Sequence, residues 1–236
     1  MENNNSSYLI PGAIVVAGLL IAGAVFLNGN SFPFPNVNKD QESRDIIKDL
    51  GINQDDFDAC NVSGRYMATI DANLQDATNS GGEGTPHSII ALPNGQRIPV
   101  SGAQPYEAMK QIIAAVLALP DGTKIDTSNL ATSTLAAAEK VLPVSATDHI
   151  QGSPEAKMTI IEFSDLECPY CATFHVTMER IIAEHGASGE VAWVYRHFPL
   201  ESIHPQARPL AHSAECVNEL AGPNAFWEYL SYIFGS

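Results

Sequence analysis

The sequence predicts an α/β domain, and three observations carry that prediction. Residues 158–198 read as strand, helix and strand; residues 88–119 read as two short strands and a helix; and a Cys-Pro-Tyr-Cys motif falls where the strand of the later block passes into its helix. The composition permits such a fold. Of 236 residues, 45% are hydrophobic and 17% charged, which is enough apolar surface for a core. Twelve Lys and Arg stand against 27 Asp and Glu, a formal net charge of −15, and this argues against nucleic acid as a partner, because phosphate binding needs clustered cations.

Taken in order, Leu9 to Leu27 is uncharged and almost wholly apolar. As a helix it reaches about 28 Å, enough to cross a bilayer core. The reading is an uncleaved membrane anchor, with a cleaved signal at Ala22-Gly23-Ala24 as the alternative. No Lys or Arg precedes the span and the first after it is Lys39, so flanking charge gives no orientation. Asn28 to Asp40, with Pro33 and Pro35, is a tether. Ser43 to Leu50 suits a short helix ended by Gly51, and Asp55 to Thr78 a helix with apolar Phe57, Tyr66, Ile70 and Leu74. A glycine-rich break at Ser80 to Gly84 follows. Ser88 to Leu92 and Arg97 to Val100 are strands about a Pro93-Asn94-Gly95 turn, and Tyr106 to Leu119 is a helix. Pro120 to His149, rich in Ala, Thr, Ser and Asp, reads as a linker with a weak helical patch at Leu135 to Leu142. Then come a strand at Met158 to Phe163, a helix at Pro169 to His185 closed by Gly186, a strand at Val191 to Phe198, and helices at Pro205 to Leu220 and Pro223 to Phe234.

The chemistry centres on Cys168-Pro169-Tyr170-Cys171. With Cys168 as the N-cap, Pro169 occupies the first helical turn, where its missing N–H costs nothing. Cys171 lies three residues on and on the same face, within disulfide reach. Free N–H groups and the helix dipole lower the Cys168 pKa, so Cys168 is expected to attack and the more buried Cys171 to resolve. A zinc half-site would need two further ligands at matching spacing, and the sequence offers no second C-x-x-C or H-x₃₋₅-H pair, so no metal and no cofactor are expected. Cys60 and Cys216 remain, each on a helix, as either two buried thiols or a structural disulfide; export favours the disulfide. Asn61-Val62-Ser63 matches a glycosylation triplet, which chance supplies as readily as design.

Thr159 to Glu167 followed by the Cys-Pro-Tyr-Cys motif resembles the opening of DsbA-like thiol–disulfide oxidoreductases. Tyr195-Arg196-His197-Phe198-Pro199-Leu200, Ile203-His204-Pro205 and Ala214-Glu215-Cys216 look like its continuation. Phe57 to Leu117, with Gly84-Thr85-Pro86 and Ser101-Gly102-Ala103-Gln104-Pro105, is similar to the family's carboxyl-terminal half. The resemblance implies a thioredoxin-like fold with a helical insertion subdomain, here circularly permuted because the two halves stand in reverse order. The expected layout is an anchor or signal with tether at 1–40, the carboxyl-type half at 41–118, a linker at 119–149 and the amino-type half at 150–236. Rival arrangements are a swapped dimer or a fragment of a tandem array.

The resemblance also implies the site. Pro86 matches a cis-proline beside the active cysteines, and the Thr85 backbone contacts substrate. Pro169 and Tyr170 border the substrate groove, and His87, by its place next to Pro86, either borders it too or is a solvated loop residue; Glu162 is a proton carrier below the cysteines, with an outward-facing strand carboxylate as the alternative. The implied protein introduces disulfides into unfolded or reduced exported proteins on the periplasmic or extracellular side, anchored by its amino-terminal helix. A DsbB-like or VKOR-like membrane thiol oxidase is the implied recycling partner. A reductase or isomerase using the same site, and a non-catalytic anchored peptide-binding module, are the alternatives. Tyr170 cannot add imidazolium charge between the cysteines, which points to milder oxidising power.

Overall fold

The computed structural model describes residues 46–120 and 122–236, so the apolar span at 9–27 and its tether lie outside the described residues. A helical turn at 46–49 leads into α1 (Gln54–Ser63) and α2 (Met67–Asn79). Then follow β1 (His87–Ala91), β2 (Arg97–Ser101), α3 (Tyr106–Leu117), α4 (Thr132–Ala138) and β3 (His149–Gln151). The chain closes with β4 (Met158–Ser164), α5 (Pro169–His185), β5 (Val191–His197), α6 (Ala207–Ala221) and α7 (Pro223–Phe234). Among the described residues no helix is long and apolar enough to cross a membrane.

The single helix expected at 55–78 is two. Asn53 caps α1 by accepting from the amides of Asp55 and Asp56, and Gly64 ends it with φ +63°, a left-handed conformation that glycine adopts without a Cβ penalty. The two helices also pack into different layers: Phe57 and Cys60 of α1 join the core that holds Trp193 and Tyr195, while Leu74 and Ala77 of α2 pack with Ile89, Ile161 and Phe163.

Both blocks build one five-stranded sheet of order β2-β1-β4-β5-β3. Only β4 and β5 run parallel; β1 lies antiparallel to both β2 and β4, and β3 antiparallel to β5. Ile160, Trp193 and Tyr195 face a core shared with α3, α5, α6 and α7, while Ile89, Ile161, Phe163 and Val194 face Ala77 of α2, Ala138 of α4 and Val141. Helices cover both faces, which is why β4 and β5 are nearly continuous in apolar character rather than alternating. Cys60 of α1 and Cys216 of α6 form a disulfide with a Cα separation of 5.9 Å.

The stretch 119–149 is more than a linker. It carries α4, and His149 opens the edge strand β3, an element too short to leave a periodic signal. Gln96 bonds the backbone of Ile125 in both directions, and Asn94 donates to the Thr123 carbonyl. The strongest tie is the buried Arg196 of β5. Its guanidinium donates to Asp76 of α2 at 2.6 Å, to both oxygens of Asp148 at 2.7 and 2.9 Å, and to the Leu142 and Pro143 carbonyls. Every N–H group named there has a charged or carbonyl acceptor, the condition under which a buried guanidinium is tolerated.

Candidate active site

The site is assembled by the junction of β4 with α5. Cys168 has extended backbone geometry, and its carbonyl accepts the first helical bond, from Ala172, so it is the N-cap; Pro169 follows in the first turn. Cys168 and Cys171 are free thiols, 5% and 0% exposed. The Thr85–Pro86 peptide bond is cis, and it places the Thr85 carbonyl 3.5 Å from the Cys168 sulfur, close enough to accept from the neutral thiol. Residues that are 83 positions apart in the chain therefore meet at one sulfur.

The two thiols are driven apart in acidity. The Cys168 pKa is brought down to about 6, chiefly by a hydrogen bond from the Cys171 thiol, with the amides of Tyr170 and Cys171 adding to it and partial burial opposing. Burial pushes Cys171 well above the ordinary thiol range, and the neighbouring Cys168 charge pushes the same way. At neutral pH the pair is thus a thiolate at Cys168 held by a protonated Cys171. The sequence pointed to the helix start as the source of this asymmetry; the larger contribution is the partner thiol itself.

Glu162 lies under this pair, wholly buried. Since both faces of the sheet are covered, the outward-facing reading of this carboxylate is corrected. Burial raises its pKa to about 7, while the Trp193 indole N–H donates to Oε2 at 2.9 Å and opposes the rise. Among the described residues the other oxygen, Oε1, has no hydrogen-bond partner, nor do the buried hydroxyls of Ser88, Ser164 and Tyr195. Ser88 and Tyr195 stand opposite Glu162 in the register of β1 and β5. A carboxyl that titrates near neutrality, with an unpartnered oxygen among hydroxyls, can take up and release a proton beside the thiols.

Pro169 and Tyr170 are on the surface, Tyr170 61% exposed. His87 is turned inward: 8% exposed, stacked on Phe163 at 5.8 Å and facing Ser80, its pKa lowered by burial, so its ring does not line an open groove. Gly82 lets the preceding loop pack here, since a Cβ would come within 2.9 Å of the Ala77 carbonyl and Phe198. Asn61 accepts from Ser213 on α6 and so points into a helix interface, which leaves the glycosylation triplet without an exposed acceptor.

Asp165 was not singled out from the sequence. Its buried side chain accepts from the amide of Glu167 (2.8 Å), the amide of Leu200 (2.7 Å) and the His204 ring (2.9 Å), while its own amide reaches the Cys171 sulfur at 3.5 Å. It fixes the turn before Cys168 and ties it to the loop after β5. The bond to the amide two residues on is an Asx-turn, a local signal present in the sequence. Among the described residues one group has the make-up of a metal centre, His149, His197 and Glu215, and it lies at the junction of β3, β5 and α6. A cavity of about 340 Å³ lined by Leu92, Val116, Leu119 and Lys157 sits at the opposite end of the sheet from the cysteines.

Residues 144–236 match the family described as Thioredoxin. Parts of the chain are similar to two curated proteins named as Na(+)/H(+) antiporters. One, NhaA 1 of Mycolicibacterium gilvum, is 36% identical over 87 residues, which is 37% of this chain and 13% of that protein. The other, NhaA 3 of Salinispora tropica, is 37% identical over 81 residues, 34% of this chain and 12% of that protein. The chain therefore spans about an eighth of the length of these relatives. No solved structure matches it. The mixed sheet and its helices fit a thioredoxin-like fold, and the matched region supports a thioredoxin-like domain, which suggests redox-type chemistry.

Proposed function

We propose that this protein is a membrane-anchored, extracytoplasmic thiol:disulfide oxidoreductase of DsbA-like type that introduces disulfides into exported proteins. The observation that carries the reading is the split acidity at Cys168 and Cys171 beside the Thr85 carbonyl. In the proposed cycle, a substrate thiolate attacks Cys168 of the Cys168–Cys171 disulfide, and Cys171 leaves as a thiolate that takes up a proton. A second substrate thiolate then attacks the mixed disulfide and expels Cys168. Two electrons pass from two substrate thiols to the enzyme pair, and the two free thiols of the described form correspond to the product state. Glu162 accepts or donates the proton that Cys171 exchanges. A membrane thiol oxidase of DsbB-like or VKOR-like class restores the disulfide. The stabilised Cys168 thiolate favours the reduced enzyme, which makes the oxidised enzyme a better oxidant.

The domain is read as circularly permuted. β1 and β2, which resemble the family's carboxyl-terminal half, precede β4 in the chain yet share its sheet, and one chain completes that sheet. This favours a permuted monomer over a swapped dimer. Because the chain covers so little of the antiporters it resembles, transport forms no part of the proposal.

The test is the reduction potential of the Cys168–Cys171 couple in a glutathione buffer, together with oxidation of a reduced, unfolded substrate. A couple clearly more oxidising than thioredoxin's (about −270 mV) is expected; a value at or below it makes the protein a reductase. Light scattering is expected to give the mass of a monomer.

A further inference from the structure

We propose that His149, His197 and Glu215 form a binding site for one divalent transition-metal ion of the zinc type. His149 opens β3, His197 ends β5, and Glu215 sits on α6 immediately before the disulfide-bonded Cys216. The Nε2 atoms of both histidines converge on a single oxygen, Glu215 Oε1, at 2.9 and 3.1 Å, and the three ligating atoms lie within 4.8 Å of one another. Their side chains are 9%, 1% and 7% exposed.

Two imidazoles and a carboxylate are a zinc donor set, with bonds of about 2.0–2.2 Å that place neighbouring ligand atoms roughly 3 Å apart. Two edges of that triangle already have this length. The donors are also held in place. His149 lies flat on Phe226, with centroids 3.5 Å apart and an 11° angle between planes, and His197 is edge-on to Tyr195 and Phe226. On α6 the Cys60–Cys216 disulfide fixes the helix next to Glu215.

Charge points the same way. Among the described residues Glu215 pairs with the two imidazoles and with no Lys or Arg. A carboxylate buried this deeply is costly in the interior unless a cation balances it. A divalent cation supplies the balance, and a chain of net charge −15 draws cations toward it. An ion here clamps β3 and β5 to α6. The inference does not depend on the redox reading of the cysteines.

The experiment uses the full chain with Cys168 and Cys171 oxidised to their disulfide, so that no thiolate competes, and Co²⁺ as the spectroscopic probe. One Co²⁺ per chain is expected, with visible d–d bands, no sulfur charge-transfer band, and displacement by Zn²⁺. Glu215→Gln and His149→Gln should each weaken Zn²⁺ binding about 100-fold or more, since loss even of groups that only support a ligand costs 10–100-fold. His185→Gln, which removes a separate His–carboxylate pair, should leave binding unchanged. If the site variants fail to fold, the stoichiometry and spectrum of the unmodified chain decide. Absence of one-to-one binding to the oxidised chain, or binding that survives in both site variants, overturns the proposal.

Discussion

Cys60 and Cys216 are 156 residues apart in the chain and joined; Cys168 and Cys171 are three apart and present as free thiols. Both pairs are buried by area, so exposure does not separate them. Their surroundings do. Cys60 and Cys216 face each other from the flanks of two packed helices, with the Glu219 carboxylate near Cys60 and the His212 ring near Cys216. Neither sits at a helix start, and both sulfurs are tied up in the disulfide. Cys168 is at a helix N-cap, its pKa lowered by the neighbouring Cys171 thiol and the amides of the first turn, with a carbonyl from a remote loop beside it. Bonding partners make the first pair a brace and the second a reagent.

Removing each pair is the sharpest way to break this comparison. Cys168→Ser should abolish thiol–disulfide exchange to background while leaving the unfolding transition of the reduced protein nearly unchanged. The paired change Cys60→Ala with Cys216→Ala should do the reverse. A loop of this length contributes several kcal/mol in the chain-entropy account, and removing such a bond typically costs about 2–5 kcal/mol. Denaturant titration would show that loss, while exchange per folded molecule should persist. Loss of exchange in the second variant at full folding would show that the brace also shapes the site.

Much of this was legible in the sequence because it is local. Cys168, Pro169 and the strand and helix around them lie within about thirty residues, and hydrophobic period together with capping places them. The proximity of Thr85 and Pro86 to Cys168 is not local, and only resemblance to a family brought it within reach of sequence reasoning. Three features stayed hidden for the same reason. Arg196 gathers Asp76 and Asp148 from remote elements, Asp165 ties two loops, and His149 meets His197 across two strands. Each is a polar residue that reads as surface or packing until the partners that justify its burial are seen. β3, at three residues, is shorter than any periodic signal.

A smaller effect separates the acid beneath the reagent from the rest of the core. The folded Glu162 carboxyl titrates near 7, against 4.5 ordinarily. Its folded pKa is raised, so its stabilising protonated form is fully present below pH 4.5 and is lost as pH rises through 7. In the oxidised protein neither thiol titrates and the Cys168 charge no longer adds to the rise, but burial, its largest cause, remains, so stability should fall as pH climbs from 4.5 toward 7, by less than about 3 kcal/mol. Glu162→Gln should remove that slope. An unchanged slope in the variant would mean that another group carries it.

The smallest change should come from the surface of the motif. Tyr170 is 61% exposed, so a charge placed there is screened by water and salt. Tyr170→His would set an imidazolium within the Cys168–Cys171 turn, where it stabilises the thiolate of the reduced form and not the disulfide. An exposed charge pair is worth at most about 1 kcal/mol, which corresponds to roughly 20 mV for a two-electron couple. The shift toward the oxidising side should be largest around pH 6 to 6.5, where the imidazole is charged and the Cys168 thiol is also ionised, and should fade both above and below that range. It should also shrink at high salt. A larger, salt-insensitive shift would mean that residue 170 acts on the buried hydrogen bond between the two thiols, and the division between a screened rim and a dry centre would have to be redrawn.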